Sequence, residues 1–221
     1  MGTYDRTQLA AMEEKCILVD ENDKILGNAS KKDCHTVQPN GHIPLHRAFS
    51  VFLFNNRGDF LLQKRSSAKI TYPDVYSNAC CSHPLDEIPG EKEEFNALGV
   101  KRAAQRRLNY ELGIPVTQLP LDAFRYITRI QYYDAGNGVW GEYEVAYILF
   151  LQADVDLTPN SNEVSEISFM PRTHLNTFAS ELKAPLTPWF DLILKHRLRY
   201  WWENLENLDQ LVDHKVIHKF T

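Results

Sequence analysis

The sequence predicts a mixed α/β (α+β) fold, in which a mixed or antiparallel sheet is flanked by helices. Two strand–turn–strand patterns in the first third of the chain indicate hairpins, at residues 16–27 and 48–64. One amphipathic helix is predicted over residues 94–112, and helical spacing returns over residues 185–218. Because no repeat and no convincing linker divides the 221 residues, we expect one domain over residues 1–221.

The predicted hairpins consist of short apolar runs on either side of a polar turn. Residues 16–20 lead through such a turn to residues 24–27, and residues 48–54 lead through residues 55–58 to residues 60–64. Two hairpins this early in the chain favour antiparallel pairing for part of the sheet.

The helix over residues 94–112 has the clearest periodicity. Its apolar residues recur at three-to-four spacing, and Gly113 followed by Pro115 predicts its end. Two β-rich segments follow at residues 124–133 and 142–151, joined by a glycine-containing turn. We therefore expect helices beyond the sheet at the C-terminal end, and helical additions at both ends of the core.

The charge balance argues against a nucleic-acid partner. The chain has 24 Lys and Arg against 29 Asp and Glu, a net charge of −5, whereas proteins that wrap nucleic acid present a dense basic face. No run approaches the roughly 18 apolar residues of a membrane helix. The N-terminal segment also lacks the basic start and apolar core of a signal peptide. We expect no membrane partner.

The cysteines are predicted to be free thiols. Cys16, Cys34, Cys80 and Cys81 are few and unevenly spread, and the adjacent pair is poorly placed to form a bridge. Free thiols favour a reducing compartment, so a cytoplasmic location is expected. The C-terminal residues are not a Ser-Lys-Leu peroxisomal address, although a peroxisomal location stays an alternative. Nothing indicates an obligate partner, so we expect a monomer.

Two glutamates share one face of the last predicted strand. Period two puts Glu142 and Glu144 on the same side as Ala146, Ile148 and Phe150. Because that side is otherwise apolar, two buried carboxylates would need a cation between them or a proton on one of them. The alternative, favoured when the segment is considered alone, is that the pair lies at the solvated end of the strand.

The histidines of the chain favour the buried interpretation of the two glutamates. His35, His42, His46 and His83 fall in the first part of the chain, and His46 directly precedes a predicted strand. An isolated histidine is usually a surface or hydrogen-bonded residue. Three histidines and two glutamates on one face, however, would fill an octahedral site for a divalent metal of intermediate hardness. The spacing suggests such a site without establishing that its members converge in space.

A cysteine lies close to one of these histidines. In the segment over residues 77–84, Cys81 stands two residues before His83, and a nearby cation would favour its thiolate. The thiol could instead be a zinc ligand, although the chain has no Cys-x-x-Cys pair for a structural zinc ribbon. A single thiol in a loop is better interpreted as an acid–base or nucleophilic group.

Basic residues follow the second predicted hairpin. Arg65 suits bidentate contacts with a phosphate and Lys69 suits a point-charge contact, so the pair is a candidate anion site. A solvated basic loop is the equally weighted alternative.

The end of the predicted helix resembles part of a Nudix box. Residues 106–114 match its C-terminal half, and Glu111 keeps one of its acids. Four positions depart from the box: Lys92, Leu98, Arg107 and Tyr110. The resemblance implies a Nudix-like core over about residues 46–200 in which most acids that hydrolyse nucleoside diphosphates are missing.

Five segments in order along the chain resemble the type 1 isopentenyl-diphosphate isomerase family. They are residues 45–50, 71–84, 102–108, 140–144 and 187–190. This resemblance covers nearly the whole chain and implies an isomerase of isoprenoid biosynthesis. The implied reaction interconverts isopentenyl diphosphate and dimethylallyl diphosphate by protonation and deprotonation, through a tertiary carbocation.

The resemblance also implies roles for individual residues. The matching catalytic residues are Cys81, Glu144 and Tyr132. The matching substrate contacts are Lys31, Arg65, Lys69, Ser82, Arg107 and Trp189. The matching metal ligands are His35, His46, His83, Glu142 and Glu144, for Mg²⁺, Mn²⁺ or Zn²⁺, and Glu111 matches the ligand of a Mg²⁺ that arrives with the diphosphate.

Two other functions compete with this interpretation. A Nudix pyrophosphohydrolase acting on a nucleoside diphosphate derivative would use the same fold, but it needs the glutamates that the altered box lacks. A metal-binding or regulatory module would not need Cys81, Glu144 and Tyr132 together.

Overall fold

A computed structural model describes residues 4–175 and 177–220. The helices are α1 (Arg6–Ala11), α2 (Lys31–His35), α3 (Leu98–Leu112), α4 (Phe178–Glu181), α5 (Pro188–Ile193) and α6 (Arg199–Glu203). The strands are β1 (Lys15–Val19), β2 (Ile25–Ser30), β3 (His46–Phe54), β4 (Phe60–Arg65), β5 (Tyr76–Asn78), β6 (Cys80–Ser82), β7 (Arg125–Asp134), β8 (Glu142–Gln152), β9 (Val164–Met170) and β10 (Ile217–Phe220). A π-helical turn, Leu194–Leu198, joins α5 to α6.

The strands form one mixed sheet, as the sequence predicts. Its main order is β10-β7-β8-β3-β1-β2, and β4 extends it through pairs with β3, β5 and β9. Strands β3 and β8 are parallel over nine residue pairs, from His46 with Glu144 to Phe54 with Gln152. Parallel neighbours need a long crossover connection, and α3 lies within the one that separates these two strands.

Two apolar cores lie on opposite faces of the sheet because side chains alternate along each strand. On β8, Ala146, Ile148 and Phe150 enter one core, which also contains residues of α5 and α6. Tyr147 and Leu149 enter the other core, where α3 packs. The predicted arrangement of a sheet between helices is therefore confirmed.

The helix α3 starts later than the sequence predicts. It begins at Leu98 rather than at residue 94, because Asn96 and Ala97 have φ angles of 50° and 54°, which no α-helix tolerates. At the other end, Gly113 has a φ of 66° and its N–H donates to the carbonyl of Asn109 at 3.0 Å. This left-handed cap confirms the predicted end.

The predicted terminal helices are correct in part. Helical structure extends from α5 through α6, and residues 205–210 continue as a 3₁₀ turn. Residues 217–220 are instead the strand β10, which pairs in parallel with β7 and sets Phe220 opposite Tyr132. A free sheet edge at β7 thus overrides local helical spacing. Across the two described ranges, no helix is both long and apolar enough to cross a bilayer.

The C-terminal helices close the first core through Trp202. This residue has no exposed surface, packs against Phe54 and Phe60 at centroid distances of 5.5 and 5.6 Å, and donates from Nε1 to the carbonyl of Gly58 at 2.7 Å. Its neighbour Tyr200 is 57% exposed. Trp202 and Tyr200, which lie on one short helix, therefore provide a matched pair for a stability measurement.

We predict that Trp202→Ala lowers the free energy of unfolding by about 3–5 kcal/mol, because it leaves a large cavity and an unsatisfied carbonyl. Tyr200→Ala should change it by no more than about 0.5 kcal/mol. Urea denaturation of both variants measures the difference. Equal losses would show that α6 does not close the core in this way.

Candidate active site

Five imidazole and carboxylate side chains converge at one end of the sheet. The members of this histidine–glutamate cluster are His35, His46, His83, Glu142 and Glu144, and their ligand atoms all lie within 4.8 Å of one another. The three imidazole rings are 4.9–5.0 Å apart between centroids. All five residues are buried. The predicted convergence is therefore present.

The fold brings the cluster together from separate elements. The parallel register of β3 and β8 sets His46 beside Glu144, and alternation along β8 sets Glu142 on the same face. His35 ends α2, and His83 directly follows β6. Glu142 and Glu144 are 4% and 7% exposed, so the alternative of a solvated strand end is wrong. His42 is exposed and is not a member of the cluster.

Backbone carbonyls fix the orientation of two of the imidazole rings. His35 donates from Nδ1 to the carbonyl of Lys31 at 2.7 Å, and His46 donates from Nδ1 to the carbonyl of Pro44 at 2.9 Å. In a neutral ring, this leaves Nε2 with a lone pair that points into the cluster. Such second contacts are typical of metal-binding histidines.

These lone pairs face carboxylate oxygens. Nε2 of His35 lies 3.2 Å from Oε2 of Glu142, and Nε2 of His46 lies 3.4 Å from Oε1 of Glu144. Nε2 of His46 and Oε2 of Glu142 are buried without a hydrogen-bond partner among the described residues. Lone pairs at these distances repel unless a proton or a cation lies between them. The donor set fits a divalent ion of intermediate hardness.

Burial and mutual contact perturb the acid–base properties of the cluster. Burial raises the pKa of Glu142 well above its usual value, and the adjacent Glu144 adds to the rise. Burial acts in the same direction on Glu144, but the nearby His46 and His83 rings hold its pKa well below the usual value. Burial also lowers the pKa of His83 to about 4 and that of His35 well below its usual value. The cluster thus concentrates negative charge on Glu144.

Tyr132 connects this charge to a neighbouring cavity. Its hydroxyl donates to Oε2 of Glu144 at 2.6 Å, while Oε1 of Glu144 lies 2.8 Å from Nε2 of His83. Two of the residues that the family resemblance marks as catalytic are therefore in direct contact. Burial raises the pKa of Tyr132 well above its usual value, so the hydroxyl keeps its proton.

Cys81 lies at the same narrow cavity as Tyr132 and Glu144. Its thiol donates to Oδ1 of Asn78 at 3.0 Å, and its sulfur is 3.2 Å from Oγ of Ser50. Burial raises the pKa of this thiol to about 12, so its surroundings in the protein favour the thiol form, and the effect of a nearby cation on the thiolate stays a prediction. Nor does Cys81 belong to the group of potential metal ligands found among the described residues, which speaks against the alternative of a zinc ligand.

Trp189 forms an aromatic wall of the cavity. It is 4% exposed, and its Nε1 donates to Oγ of Ser77 at 3.2 Å. Tyr72 meets its ring edge-on at a centroid distance of 5.2 Å, and the guanidinium of Arg65 lies 5.7 Å from the ring. The ring is thus held in one orientation at a dry position.

Four basic side chains line the cavity and form a cationic wall. They are Lys31, Arg65, Lys69 and Arg107, and Ser82 lies among them. Arg65 is fixed by the carbonyls of Tyr72 and Thr71 at 2.7 and 2.8 Å. The predicted anion site is therefore a buried surface, and the alternative of a solvated loop is wrong for Arg65 and Lys69.

Glu111 lies behind the cationic wall and does not line the cavity. Its Oε1 accepts from Nε and Nη2 of Arg107 at 3.0 and 2.7 Å. Although Arg107 is buried, the charges of Glu111 and Glu163 raise its pKa, so the guanidinium stays charged. The fold thus joins Glu111 to the cavity through Arg107.

Several residues that shape this site were not predicted from the sequence. Ser50 and Asn78 contact Cys81, Tyr72 contacts Trp189, and Glu163 contacts both Lys69 and Arg107. Asn78 stands in the segment that contains Cys81, and this proximity could have marked it as a candidate site residue. Glu163 precedes β9 in a polar segment without a motif, so the sequence offered no signal for it.

The chain is similar to known proteins over nearly its full length. A family model described as NUDIX domain matches residues 44–190. Isopentenyl-diphosphate Delta-isomerase 1 of Mesocricetus auratus is 48% identical over 97% of this chain and 96% of its own length. An isopentenyl-diphosphate delta-isomerase of Gibberella zeae is 46% identical over 99% of this chain and 88% of its own length.

A solved structure supports the fold independently. The NUDIX hydrolase from Alicyclobacillus acidocaldarius superposes with a TM-score of 0.54 at 11% identity, covering 76% of this chain and 97% of that chain. An identity this low bears on the fold alone. Because the relatives match at 46–48% identity over nearly the full chain, the chain belongs to the isopentenyl-diphosphate Delta-isomerase family and has a Nudix fold.

Proposed function

We propose that the chain interconverts isopentenyl diphosphate and dimethylallyl diphosphate. The observation that carries this proposal is that Cys81 and the hydrogen-bonded pair Tyr132–Glu144 line one buried cavity together with Trp189. A thiol and a carboxylate–phenol pair are two acid–base groups, and moving a double bond by one carbon requires one proton to be added and another to be removed.

The surroundings of these groups suit a carbocation. Protonation of C4 of isopentenyl diphosphate leaves a tertiary cation at C3, and loss of a proton from C2 completes the reaction. The indole of Trp189 can stabilise such a cation by about 2 kcal/mol when water is excluded. Asn78 and Ser50 hold the Cys81 sulfur at a defined position, so proton transfer at carbon needs little reorganisation.

We propose that the cationic wall binds the diphosphate. Lys31, Arg65, Lys69 and Arg107 face the cavity from three segments, which are α2, the end of β4 with the loop after it, and α3, and Ser82 adds a polar contact. The diphosphate takes no part in bond changes, so its binding energy is available to orient a short hydrocarbon tail. We assign to Glu111 the Mg²⁺ that accompanies the diphosphate, because its carboxylate borders this wall through Arg107.

We propose that the histidine–glutamate cluster holds one divalent ion, Mg²⁺, Mn²⁺ or Zn²⁺. When bound, the ion would withdraw charge from Glu144 and strengthen the acidity of the Tyr132–Glu144 pair. The residues of the chain orient the ligands and the proton. Backbone carbonyls orient the rings of His35 and His46, and the Tyr132 hydroxyl directs its proton at Glu144.

We further propose that residues 1–221 form one monomeric domain that acts in the cytoplasm. All four cysteines are free thiols, which favours a reducing compartment over an oxidising one. Fluorescence microscopy of the tagged chain would separate this location from the peroxisome, and sedimentation would test the monomer.

The direct test of the activity is incubation with isopentenyl diphosphate and Mg²⁺, followed by ¹H NMR. We expect dimethylallyl diphosphate to appear without release of phosphate. Phosphate or pyrophosphate release from nucleoside diphosphate derivatives, with no isomerisation, would favour a Nudix pyrophosphohydrolase instead.

We predict that Cys81→Ala and Glu144→Gln each lower kcat by about a thousandfold or more, because each removes a proton-transfer group. Steady-state kinetics measures the loss, and circular dichroism checks the fold. Cys80→Ala is the matched control, since Cys80 is buried in the core on the opposite face of the sheet and should leave kcat nearly unchanged. Near-normal turnover in either of the first two variants would contradict the mechanism.

We predict that chelation abolishes turnover and that one divalent ion per chain restores it, because the cluster holds lone pairs that need a cation. Metal analysis and calorimetric titration of the chelated chain measure the stoichiometry. His46→Ala should lose this binding, whereas His42→Ala, outside the cluster, should keep it. Full activity in thoroughly metal-free protein would exclude the proposed role.

We predict that Trp189→Ala lowers kcat by about tenfold to thirtyfold with a smaller change in KM, because the ring contacts the cation rather than the ground state. Trp189→Phe, which keeps an aromatic face, should recover part of kcat. A rise in KM alone would mean that Trp189 acts as a packing wall.

A further inference from the structure

A carboxylate without an assigned role lies directly behind the cationic wall. Glu163 is 4% exposed and does not line the cavity. One of its oxygens, Oε2, accepts from Nζ of Lys69 and lies 3.4 Å from Nη2 of Arg107. Two cations from different segments therefore share a single buried oxygen.

The other side of Glu163 is held by the N-terminal helix. Oε1 of Glu163 accepts from Nε2 of Gln8 at 3.1 Å, and the same amide donates to Oδ1 of Asn162 at 2.7 Å. The backbone is also tied, because the N–H of Ser66 donates to the carbonyl of Glu163 at 3.0 Å. Glu163 thus joins α1, the loop after β4 and α3 at one point.

We propose that Glu163 is a positioning residue for the diphosphate: from behind, it holds Lys69 and Arg107 side by side with their outer faces toward the cavity. This inference rests on the proposed function, since it concerns the diphosphate site of that reaction. Without a shared carboxylate, two adjacent buried cations would repel each other and separate.

The charge environment of Lys69 supports this role. The pKa of Lys69 is lowered to about 8, mainly by burial and also by Arg65 and Lys31, while Glu163 and the more distant Glu111 act in the opposite direction. Loss of Glu163 would therefore lower this pKa again, so that the ammonium loses its proton at a lower pH. The diphosphate would then lose a charged partner near neutral pH.

Glu111 does not supply the same support. Its Oε1 accepts two hydrogen bonds from Arg107, whereas the ammonium of Lys69 donates to Glu163. Both carboxylates therefore contact the guanidinium of Arg107, and Glu163 also contacts the ammonium of Lys69.

The test is calorimetric binding of inorganic pyrophosphate, with Mg²⁺ present, to the wild-type chain and to Glu163→Gln. The amide has the same shape but no charge. We expect affinity at about pH 7.5 to fall by about tenfold or more, the usual effect of losing a charge-assisted hydrogen bond. KM for isopentenyl diphosphate should rise similarly, with kcat within about twofold, because the proton-transfer groups are unchanged.

The pH dependence separates this role from a general structural one. The ratio of wild-type to Glu163→Gln affinity should grow between about pH 6.5 and about pH 8.5, because Lys69 deprotonates earlier in the variant. Ionisation of pyrophosphate is the same in both titrations and cancels in the ratio. Unchanged or tighter binding, or a loss equal at both pH values, would overturn the proposal.

Further variants control for folding and for charge. Glu166→Gln removes a carboxylate that also pairs with a lysine, Lys64 at 3.1 Å, but at an exposed position on β9, and it should leave affinity unchanged. Gln8→Ala removes the amide contact from the far side of Glu163 and should weaken binding in the same direction by about twofold to fivefold. If the wild-type chain failed to bind pyrophosphate but still isomerised isopentenyl diphosphate, the positioning role would be overturned and the proposed function would stand. Failure of both measurements would reject the proposed function.

Discussion

The buried end of β8 carries two carboxylates, and the rest of the site depends on how their charge is compensated. Glu142 and Glu144 share one face, a placement that would be costly in an apolar interior without positive partners. Three imidazole rings surround them, and two of these present lone pairs rather than protons. The compensation must therefore come from a shared cation or proton, which the groups from α2, β3, β8 and the residue after β6 are placed to hold together.

The helix α3 differs in its charged residues from the corresponding helix of a Nudix box. In α3, Arg107 stands where the Nudix box has an acid, and it pairs with Glu111 instead of leaving that carboxylate open. This exchange removes negative charge from the helix and adds a guanidinium to the cavity wall. The helix thus presents a cation to the cavity and keeps Glu111 as the one acid of the box, while the histidine–glutamate cluster gathers charge at the end of the sheet.

The elements that could be predicted are those whose pattern is set locally. Alternation along β8 and the three-to-four spacing in α3 are properties of single segments, and both were correct apart from the first turn of the helix. Strands β5 and β6 have three residues each, too few for a period, and β10 forms because the edge of β7 is available. The cluster was predictable because its members are chemically unusual for a core. Glu163 was not, since a glutamate in a polar segment resembles any surface residue until its partners are seen.

Alternation in β6 has a practical consequence for chemical modification. Cys80 enters the core beneath α3, whereas Cys81 faces the cavity, and it is the one cysteine of the four that is partly accessible. A thiol-directed reagent should therefore modify Cys81 in preference to the three buried cysteines, without their removal. The raised pKa of Cys81 makes that modification slow, and a ligand seated in the cavity slows it further. The rate at which Cys81 is alkylated should therefore report whether a ligand occupies the cavity.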